Sequence, residues 1–250
     1  MSSSPPPSSF PASPAPPATS DPARLFALVP CAGSGSRAGT AQPKQYEMLA
    51  GRPMVRHTLA ALAQVARLQK ILVVVSRGDA ALADLTEPFE VADCGGATRA
   101  GSVANGLQRL QALGARDEDW VLVHDAARCL VTPAIVDRLI DACRTDAVGG
   151  LLAHRLADTL KAAVGEAGRA RSAVTVDRSD KWLAQTPQMF RLGLLQRALR
   201  EAGPQVTDEA SAVEALGLKP LLVEGGAQNF KLTYPEDFAL AEAVLRSRTA

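Results

Sequence analysis

Apolar runs of strand length alternate with helix-periodic segments through most of this 250-residue chain, and this alternation constrains its fold most strongly. Strands are predicted at residues 25–29, 71–75, 120–124, 148–153 and 221–224. Between the first two of them, apolar residues recur at helical spacing in the series Val55, Leu59, Leu62 and Val65. The alternation indicates an α/β fold, with a Rossmann-like, mostly parallel sheet and helices on both faces. Such sheets bind ligands at the carboxyl ends of their strands.

A segment rich in Pro, Ser and Ala, residues 1–23, precedes the first predicted strand. Its composition cannot bury enough apolar surface to offset the entropy of ordering, so we expect a disordered tail. The segment lacks an apolar stretch of signal-peptide length, which argues against secretion. Residues 24–250 are expected to form a single domain, since their length suits one α/β core.

Composition and charge argue against several classes of protein. The formal net charge is +1, which disfavours a broad surface for nucleic acid or membrane. No apolar run reaches membrane-spanning length. The four cysteines are scattered without a C-x-x-C pair, so we expect reduced, structural cysteines in a cytoplasmic protein.

A glycine-rich loop follows the first strand, in the sequence VPCAGSGSRAGTAQPKQY at residues 29–46. Gly33 and Gly35 let backbone N–H groups approach a ligand closely, and such loops suit phosphate oxygens. Two side chains add positive charge. Arg37 has a planar guanidinium group, and Lys44 has a compact ammonium group that acts as a point charge. This stretch therefore predicts a polyphosphate-binding site.

The same loop matches the weaker G-x-G-x-x-A pattern of dinucleotide-binding proteins at residues 33–38. Pro43 would interrupt a helix that begins after the glycines. In addition, the next predicted strand ends without the Asp or Glu that would hold a ribose. An ordinary strand-to-helix turn with surface cations is a further alternative. The glycines, Arg37 and the sequence PKQY together favour the polyphosphate site.

The sequence VHDAAR places Asp125 and Arg128 just after the strand at 120–124. An Asp at this place suits Mg²⁺, which is usually bound by one or two carboxylates together with substrate phosphates. A capping role in the following turn is the alternative for Asp125, and the nearby Arg128 favours the metal and phosphate interpretation. We interpret His124 as hydrogen-bonded rather than catalytic.

A second glycine pair, Gly95 and Gly96, precedes the helix whose start carries Ser102. Exposed N–H groups and a hydroxyl at this position could bind the edge of a nucleotide base. A simple turn with an incidental serine fits the spacing equally well.

Residues 154–187 break the alternation, because they read as short extended pieces around a glycine-containing turn at 165–168. Two strands joined by a turn form a hairpin, which is marginally stable alone. We therefore predict a projecting β-arm that a second copy of the chain covers in a two-fold homodimer. A hairpin folded back onto its own sheet is the alternative.

Taken together, these motifs resemble those of 2-C-methyl-D-erythritol 4-phosphate cytidylyltransferases, a family of the non-mevalonate isoprenoid pathway. They occur in the order VPCAGSGSR, PKQY, GGATRAGSV, VHDAAR, DTLK, TVDR, QTPQ, TDEASA, VEG and NFKLTYPEDFALAE. The resemblance covers about residues 25–247. It implies a nucleotidyltransferase that moves CMP from CTP to 2-C-methyl-D-erythritol 4-phosphate, releasing pyrophosphate and using Mg²⁺.

The resemblance also implies roles for individual residues. The CTP phosphates would be bound by Gly33, Gly35, Arg37 and Lys44, and the cytosine by Ala32, Gly96 and Ser102. Asp125 would be the Mg²⁺ ligand. The substrate phosphate would be bound by Arg128, Thr186, Thr207 and Lys231, with Lys231 also near the α-phosphate. Thr159 and Arg178 of the arm would serve the active site of the partner subunit.

Two positions depart from the pattern of better-known members. Ala97-Thr98 stands where an acidic pair is common, and Cys129 stands where a proline often follows the arginine of DAAR. Neither removes a charged catalytic group. Three other functions remain open: a cytidylyltransferase for another polyol phosphate such as ribitol 5-phosphate, an NAD(P)-dependent oxidoreductase, and a non-catalytic nucleotide-binding or scaffold protein.

Overall fold

The computed structural model describes residues 22–33, 43–166, 168–203 and 206–248. The expected tail falls almost wholly outside these residues, as do Gly35 and Arg37 of the glycine loop. Within the described part, the strands are β1 (Leu25–Pro30), β2 (Met48–Leu49), β3 (Arg52–Pro53), β4 (Lys70–Val74), β5 (Phe89–Ala92), β6 (Trp120–Val123), β7 (Gly149–Arg155), β8 (Leu160–Val164), β9 (Arg171–Val176), β10 (Trp182–Arg191) and β11 (Leu221–Glu224). The helices are α1 (Met54–Ala63), α2 (Arg99–Ala112), α3 (Pro133–Cys143), α4 (Leu192–Glu201), α5 (Glu209–Ala215) and α6 (Pro235–Ser247), with a short 3₁₀ helix at Lys44–Tyr46.

One sheet organises the described part of the chain, with the spatial order β11-β7-β10-β6-β1-β4-β5. All neighbours pair in parallel except β10, which runs antiparallel to both β6 and β7. The predicted α/β fold with a mostly parallel sheet is thus confirmed, and every predicted strand is present with its ends shifted by two residues at most. Strand β5 was not predicted.

Side chains of each central strand alternate between two buried layers, because successive residues of a strand point to opposite faces. In β1, Leu25, Ala27 and Val29 join one apolar cluster, whereas Phe26 and Leu28 join the other. Helices α1 and α3 cover the first face, and α2, α4 and α5 cover the second. Helices therefore lie on both faces of the sheet, as the sequence predicts.

Helix α2 lies unusually close to the sheet, which brings its first turn beside the end of β1. A Cβ atom at Gly106 would lie 2.7 Å from the Cδ1 of Leu28 and 2.8 Å from the Cγ2 of Val74. Such distances are too short for real side chains, so this close packing requires glycine at position 106.

Strands β8 and β9 form a separate two-stranded antiparallel sheet, and no pairing with the main sheet is found in the described residues. The residues Val164 and Val174 are 59% and 57% exposed. A hairpin is therefore present where the arm is predicted, and it is not folded back onto its own sheet. It is shorter than the predicted segment, because Trp182 to Ala184 continue β10 and pair with the end of β7.

A third apolar cluster joins the C-terminal helix to the strand ends. Leu232 and Ala241 pack there with Leu49, Met54 and Cys129. Cys129 is buried, so the position where a proline was expected contributes to packing. Within the described residues, no helix combines the length and apolar character needed to cross a membrane.

Candidate active site

A cavity of about 470 Å³ opens at the carboxyl ends of β1 and β6, beside the first turn of α2. Its size suits a small-molecule ligand. It is lined by Pro30, Cys31, Ala32, Gly33, Lys44, Gln45, Met54, Gly96, Ala97, Thr98, Arg99, Ser102, Asp125, Ala126, Ala127 and Lys231. The structure thus brings together seven residues that the sequence motifs predict for the site: Ala32, Gly33, Lys44, Gly96, Ser102, Asp125 and Lys231.

The 3₁₀ helix at Lys44–Tyr46 holds the start of the glycine loop in place through hydrogen bonds. The amide Nε2 of buried Gln45 donates to the carbonyl oxygens of Cys31 at 2.9 Å and Gly33 at 3.0 Å. The hydroxyl of Tyr46 donates to Oδ2 of Asp79 at 2.7 Å. These contacts anchor the short helix that carries Lys44, and they hold it at the wall of the cavity.

The second glycine motif forms a tight turn into α2. A Cβ atom at Gly96 would lie 2.7 Å from the backbone carbon of Gly101, so the turn requires glycine there. The Ser102 hydroxyl accepts from the Gly96 N–H and donates to the Thr98 carbonyl, both at 3.0 Å. Thr98 caps the helix by accepting from the N–H of Gly101. Thr98, one of the two residues that stand where an acidic pair is common, therefore serves as the N-cap of α2.

Asp125 lies at the base of the cavity between two cations. Its Oδ1 accepts from Nε of Arg99 and its Oδ2 from Nζ of Lys231, each at 2.7 Å. Burial by itself raises the pKa of the Asp125 carboxyl, but the charges of Arg99 and Lys231 outweigh burial and lower it well below its ordinary value. Asp125 is therefore a carboxylate at neutral pH.

Arg99 also binds a second, deeply buried carboxylate. Its Nη1 and Nη2 donate to the two carboxylate oxygens of Glu209 at 2.7 and 3.0 Å. Burial raises the pKa of Glu209, and the charge of Arg99 offsets part of that rise. The guanidinium thus links the end of β6 to the start of α5 through side chains alone.

A smaller cavity of about 180 Å³ adjoins the first and shares Arg99, Asp125 and Lys231 with it. It is also lined by Arg128, Ala184, Gln185, Thr186, Gln188, Thr207 and Asp208. The structure therefore places the predicted substrate-phosphate residues Arg128, Thr186, Thr207 and Lys231 around one cavity.

The guanidinium of Arg128 faces this second cavity and binds main-chain oxygens of two other segments. Its Nη1 donates to Asn229 O at 2.8 Å and its Nη2 to Ala184 O at 3.1 Å. Its Nε is buried without a hydrogen-bond partner. In the part of the chain that the structure describes, no carboxylate lies within ion-pair distance of Arg128. Such a cation, held in place but unpaired, suits an incoming anion.

His124 and Thr186 form a buried network beneath the two cavities. The Thr186 hydroxyl accepts from the N–H of Asp125 and hydrogen-bonds to Nδ1 of His124, both at 3.0 Å. The other ring nitrogen of His124 lies 3.2 Å from the carbonyl oxygen of Arg128. The hydrogen-bonded interpretation of His124 is thus confirmed, and Thr186 has protein partners besides any ligand.

The remaining predicted residues lie away from these cavities or outside the described residues. Thr159 and Arg178 are exposed and flank the open end of the hairpin, opposite its turn, because Thr159 precedes β8 and Arg178 follows β9. Gly35 and Arg37 are outside the described residues. Four further residues near the site were not predicted from the sequence, although all of them stand inside the motifs named above: Arg99, Glu209, Gln45 and Gln188. No local signal indicates that Arg99 meets a carboxylate 110 positions later in the chain.

Comparison with known proteins gives a consistent result. The family model of IspD, 2-C-methyl-D-erythritol 4-phosphate cytidylyltransferase, matches residues 25–247. The chain is 56% identical to the protein of that name from Ralstonia nicotianae over 236 residues, which are 89% of this chain and 92% of the relative. It is 61% identical over 230 residues to the bifunctional enzyme IspD/IspF of Albidiferax ferrireducens. That alignment covers 91% of this chain and 54% of the relative, so the chain spans about half of that protein.

Solved structures are similar over nearly the whole chain. A crystal structure of 4-diphosphocytidyl-2C-methyl-D-erythritol synthase superposes with a TM-score of 0.78 at 41% identity, covering 90% of this chain and 100% of the other. The 2-C-methyl-D-erythritol 4-phosphate cytidylyltransferase of Thermus thermophilus gives a TM-score of 0.72 at 34% identity, covering 89% of this chain and 99% of the other.

Proposed function

The chain belongs to the 2-C-methyl-D-erythritol 4-phosphate cytidylyltransferase family, and from this premise we propose how its residues carry out the reaction. It transfers CMP from CTP to 2-C-methyl-D-erythritol 4-phosphate, giving 4-diphosphocytidyl-2-C-methyl-D-erythritol and pyrophosphate. The main observation in support of this proposal is that Lys44, Asp125 and Lys231 line one cavity. Gly33 and Gly96 line the same cavity.

The reaction needs no nucleophile from the protein. A phosphate oxygen of the acceptor forms a bond to the α-phosphorus of CTP, and the bond from that phosphorus to the pyrophosphate oxygen breaks in line. The acceptor phosphate is already ionised at neutral pH, so no base has to remove a proton. Burial raises the pKa of the Cys31 thiol in the cavity wall to about 12, which keeps that group protonated and a poor nucleophile.

Catalysis therefore rests on positioning and on stabilising negative charge. Kinases and GTPases act in the same way on the γ-phosphate. Arg37 and Lys44 bind the CTP phosphates together with backbone groups of Gly33 and Gly35. Lys231 stands where the two cavities meet and therefore suits charge that develops on the α-phosphate during attack. Ala32, Gly96 and Ser102 form the side of the cavity that binds cytosine.

The second cavity binds the phosphate of the acceptor. Arg128 is the principal cation there, because it has no carboxylate partner among the described residues and faces the cavity with a fixed guanidinium. Thr186 and Thr207 add hydroxyl groups to the same wall. The shared border with the first cavity supports an acceptor position beside the α-phosphate rather than at the outer end of the triphosphate.

The residues present fit a divalent metal held jointly with phosphates. Among the described residues, no group of three or more His, Cys, Asp or Glu side chains is arranged to hold a metal ion. Asp125 offers one ionised carboxylate, which suits Mg²⁺ because that ion commonly takes one or two carboxylates and completes its shell with phosphates and water. When bound, the ion neutralises phosphate charge and orients the leaving group.

The exposed hairpin supports a homodimer in which each arm completes the site of the other subunit. A lone two-stranded sheet is marginally stable, and the exposed Val164 and Val174 would be covered by a second copy. Thr159 and Arg178 flank the open end of this hairpin and would reach the partner's acceptor site. We further propose that residues 24–250 form one catalytic domain and act in the cytoplasm, while residues 1–23 form a tail.

Pyrophosphate release by the purified protein with Mg²⁺ and CTP tests the proposal. Release that requires 2-C-methyl-D-erythritol 4-phosphate supports it. Release with ribitol 5-phosphate alone would assign the same chemistry to a different acceptor, and no release with either would overturn the proposal.

A further inference from the structure

Arg99 occupies a position that local helix energetics disfavour. It is the first residue of α2, where the partial positive charge of a helix N-terminus favours carboxylates and opposes cations. The two carboxylates of Asp125 and Glu209 offset this cost. Residues that break a local rule are expected at functional or strained sites.

Among the residues that the structure describes, the Glu209 carboxylate forms its hydrogen bonds with Arg99 only. Its side chain is 1% exposed, and each of its oxygens accepts one guanidinium nitrogen. A two-pronged contact of this kind fixes the plane of the guanidinium as well as its position. The remaining nitrogen, Nε, is thereby aimed at Oδ1 of Asp125.

The two oxygens of Asp125 therefore differ in the mobility of their partners. Oδ1 is held by Arg99, which is itself clamped by Glu209. Oδ2 is held by Lys231, whose side chain is 36% exposed and flexible. A flexible ammonium can leave Asp125 for a phosphate, whereas the clamped guanidinium stays in place.

We propose that Arg99 and Glu209 are a positioning pair. They hold Asp125 through Oδ1 and leave Oδ2 as the oxygen open to exchange when the metal and phosphates bind. The inference rests on the proposed function, because it assigns the metal-binding role to Asp125. In this role neither residue of the pair needs to touch the reacting atoms.

The pair also connects the two cavities. Glu209 begins α5 directly after Thr207 and Asp208, which line the acceptor cavity. Gln188 secures the same segment, because its Nε2 donates to Oδ2 of Asp208 at 2.8 Å and its Oε1 accepts from the N–H of Ala210 at 2.7 Å. The acceptor side and the nucleotide side are thus joined through Arg99.

The test uses two variants. Glu209→Gln keeps the shape of the side chain but removes its charge, whereas Arg99→Lys keeps the charge but removes the planar guanidinium group. Asp141→Asn is the matched control, because Asp141 accepts from Arg67 at 2.7 Å but lies on the surface of α3. For each full-length protein, Mn²⁺ binding in the presence of CTP is measured by electron paramagnetic resonance, and kcat and the melting temperature are recorded beside it.

We expect each positioning variant to bind Mn²⁺ about 10- to 100-fold more weakly and to lose kcat on the same scale, as is typical for partners of metal ligands. The control should match the unmodified protein. Metal affinity and kcat within twofold of the unmodified protein in both variants would overturn the inference. A loss of affinity found only where the melting temperature also collapses would assign the pair a structural role instead.

The metal measurement separates this inference from the proposed function. If the unmodified protein releases no pyrophosphate with either acceptor, the proposed function fails. The comparison of Mn²⁺ affinity still decides the role of Arg99 and Glu209 in that case, because it does not depend on turnover.

Discussion

The ammonium Nζ of Lys44 donates to the main-chain oxygen of Leu232 at 2.6 Å, across 188 positions of sequence. This contact joins the PKQY segment to the NFKL segment at one wall of the cavity. Lys44 and Lys231 both line the larger cavity, and the Lys231 ammonium is held there by Asp125. Two ammonium groups that line one cavity favour the binding of a polyanion.

Removing either ammonium should therefore damage catalysis. We expect Lys44→Ala and Lys231→Ala each to lower kcat by roughly 10²-fold or more, the scale typical for loss of one preorganised donor to the transition state. The measurement is steady-state pyrophosphate release with saturating CTP and acceptor. Lys219→Ala, at an exposed position before β11, is the control. Near-normal kcat in either variant would remove that lysine from the mechanism.

The amide of Gln45 should matter for binding CTP rather than for the chemical step. Gln45→Met keeps the length of the side chain but removes both hydrogen bonds to the start of the glycine loop. At about 1 kcal/mol for each bond, we expect a rise of roughly tenfold or more in the KM for CTP, with a smaller change in kcat. Gln64→Met, at the exposed end of α1, is the control, and an unchanged KM in Gln45→Met would contradict the expectation.

Asp119 should control acid stability away from the active site. It is fully buried and accepts from the backbone and side chains of Arg24 and Arg116. Burial by itself raises its pKa, but these donors lower the pKa below its ordinary value. The stabilisation is therefore present above an ordinary Asp pKa of about 3.9 and is lost as the pH falls below it.

We expect Asp119→Asn to lower the free energy of unfolding at pH 7 by at least about 2 kcal/mol, since charged hydrogen bonds are lost inside the protein. The difference from the unmodified protein should shrink as the pH falls toward about 3, below the ordinary Asp pKa. Urea unfolding at several pH values measures both effects. Asp141→Asn, in a surface ion pair, should change stability by at most about 0.5 kcal/mol. A pH-independent difference for Asp119→Asn would contradict the assignment.

The proposed role of the arm can be tested with mixed dimers of two variants. If Arg178 serves the partner's site, a dimer of one Arg178→Ala subunit and one Lys44→Ala subunit contains one intact site. Random exchange of subunits between the two inactive variants should then restore about a quarter of normal activity, because half of the dimers are mixed and each has one good site. Activity after mixing that stays at the level of the separate variants would show that Arg178 acts within its own subunit.

The sequence predicted the central strands well because their apolar runs are buried on both faces. It missed Phe89–Ala92, an edge strand whose sequence FEVA is short and mostly half-buried. It placed Gln185 to Pro187 in the arm, because a polar run does not resemble a core strand. In the structure the polar side chains of this stretch are buried and form hydrogen bonds with other segments. The neighbouring Gln188, for example, is buried and donates to Asp208.

The predicted site residues came from motifs, and the structure gathers most of those it describes around two adjoining cavities. What the motifs could not supply are the contacts between distant segments. Arg99 with Glu209 and Lys44 with Leu232 depend on which strand ends meet in the fold, and no periodicity or spacing encodes that meeting. Thr186 has a structural contact that its motif does not indicate. The motif predicts that it binds substrate, but its hydroxyl also accepts from the N–H of Asp125 and holds that buried turn.

The most direct test of CMP transfer follows the α-phosphorus of the nucleotide. The protein is incubated with Mg²⁺, 2-C-methyl-D-erythritol 4-phosphate and CTP that carries ³²P at the α-phosphate, and the products are separated. Attack at the α-phosphorus predicts that all transferred label enters the diphosphocytidyl product, with an equal amount of unlabelled pyrophosphate. Label in pyrophosphate, or consumption of CTP without a labelled product that depends on the acceptor, would contradict this chemistry.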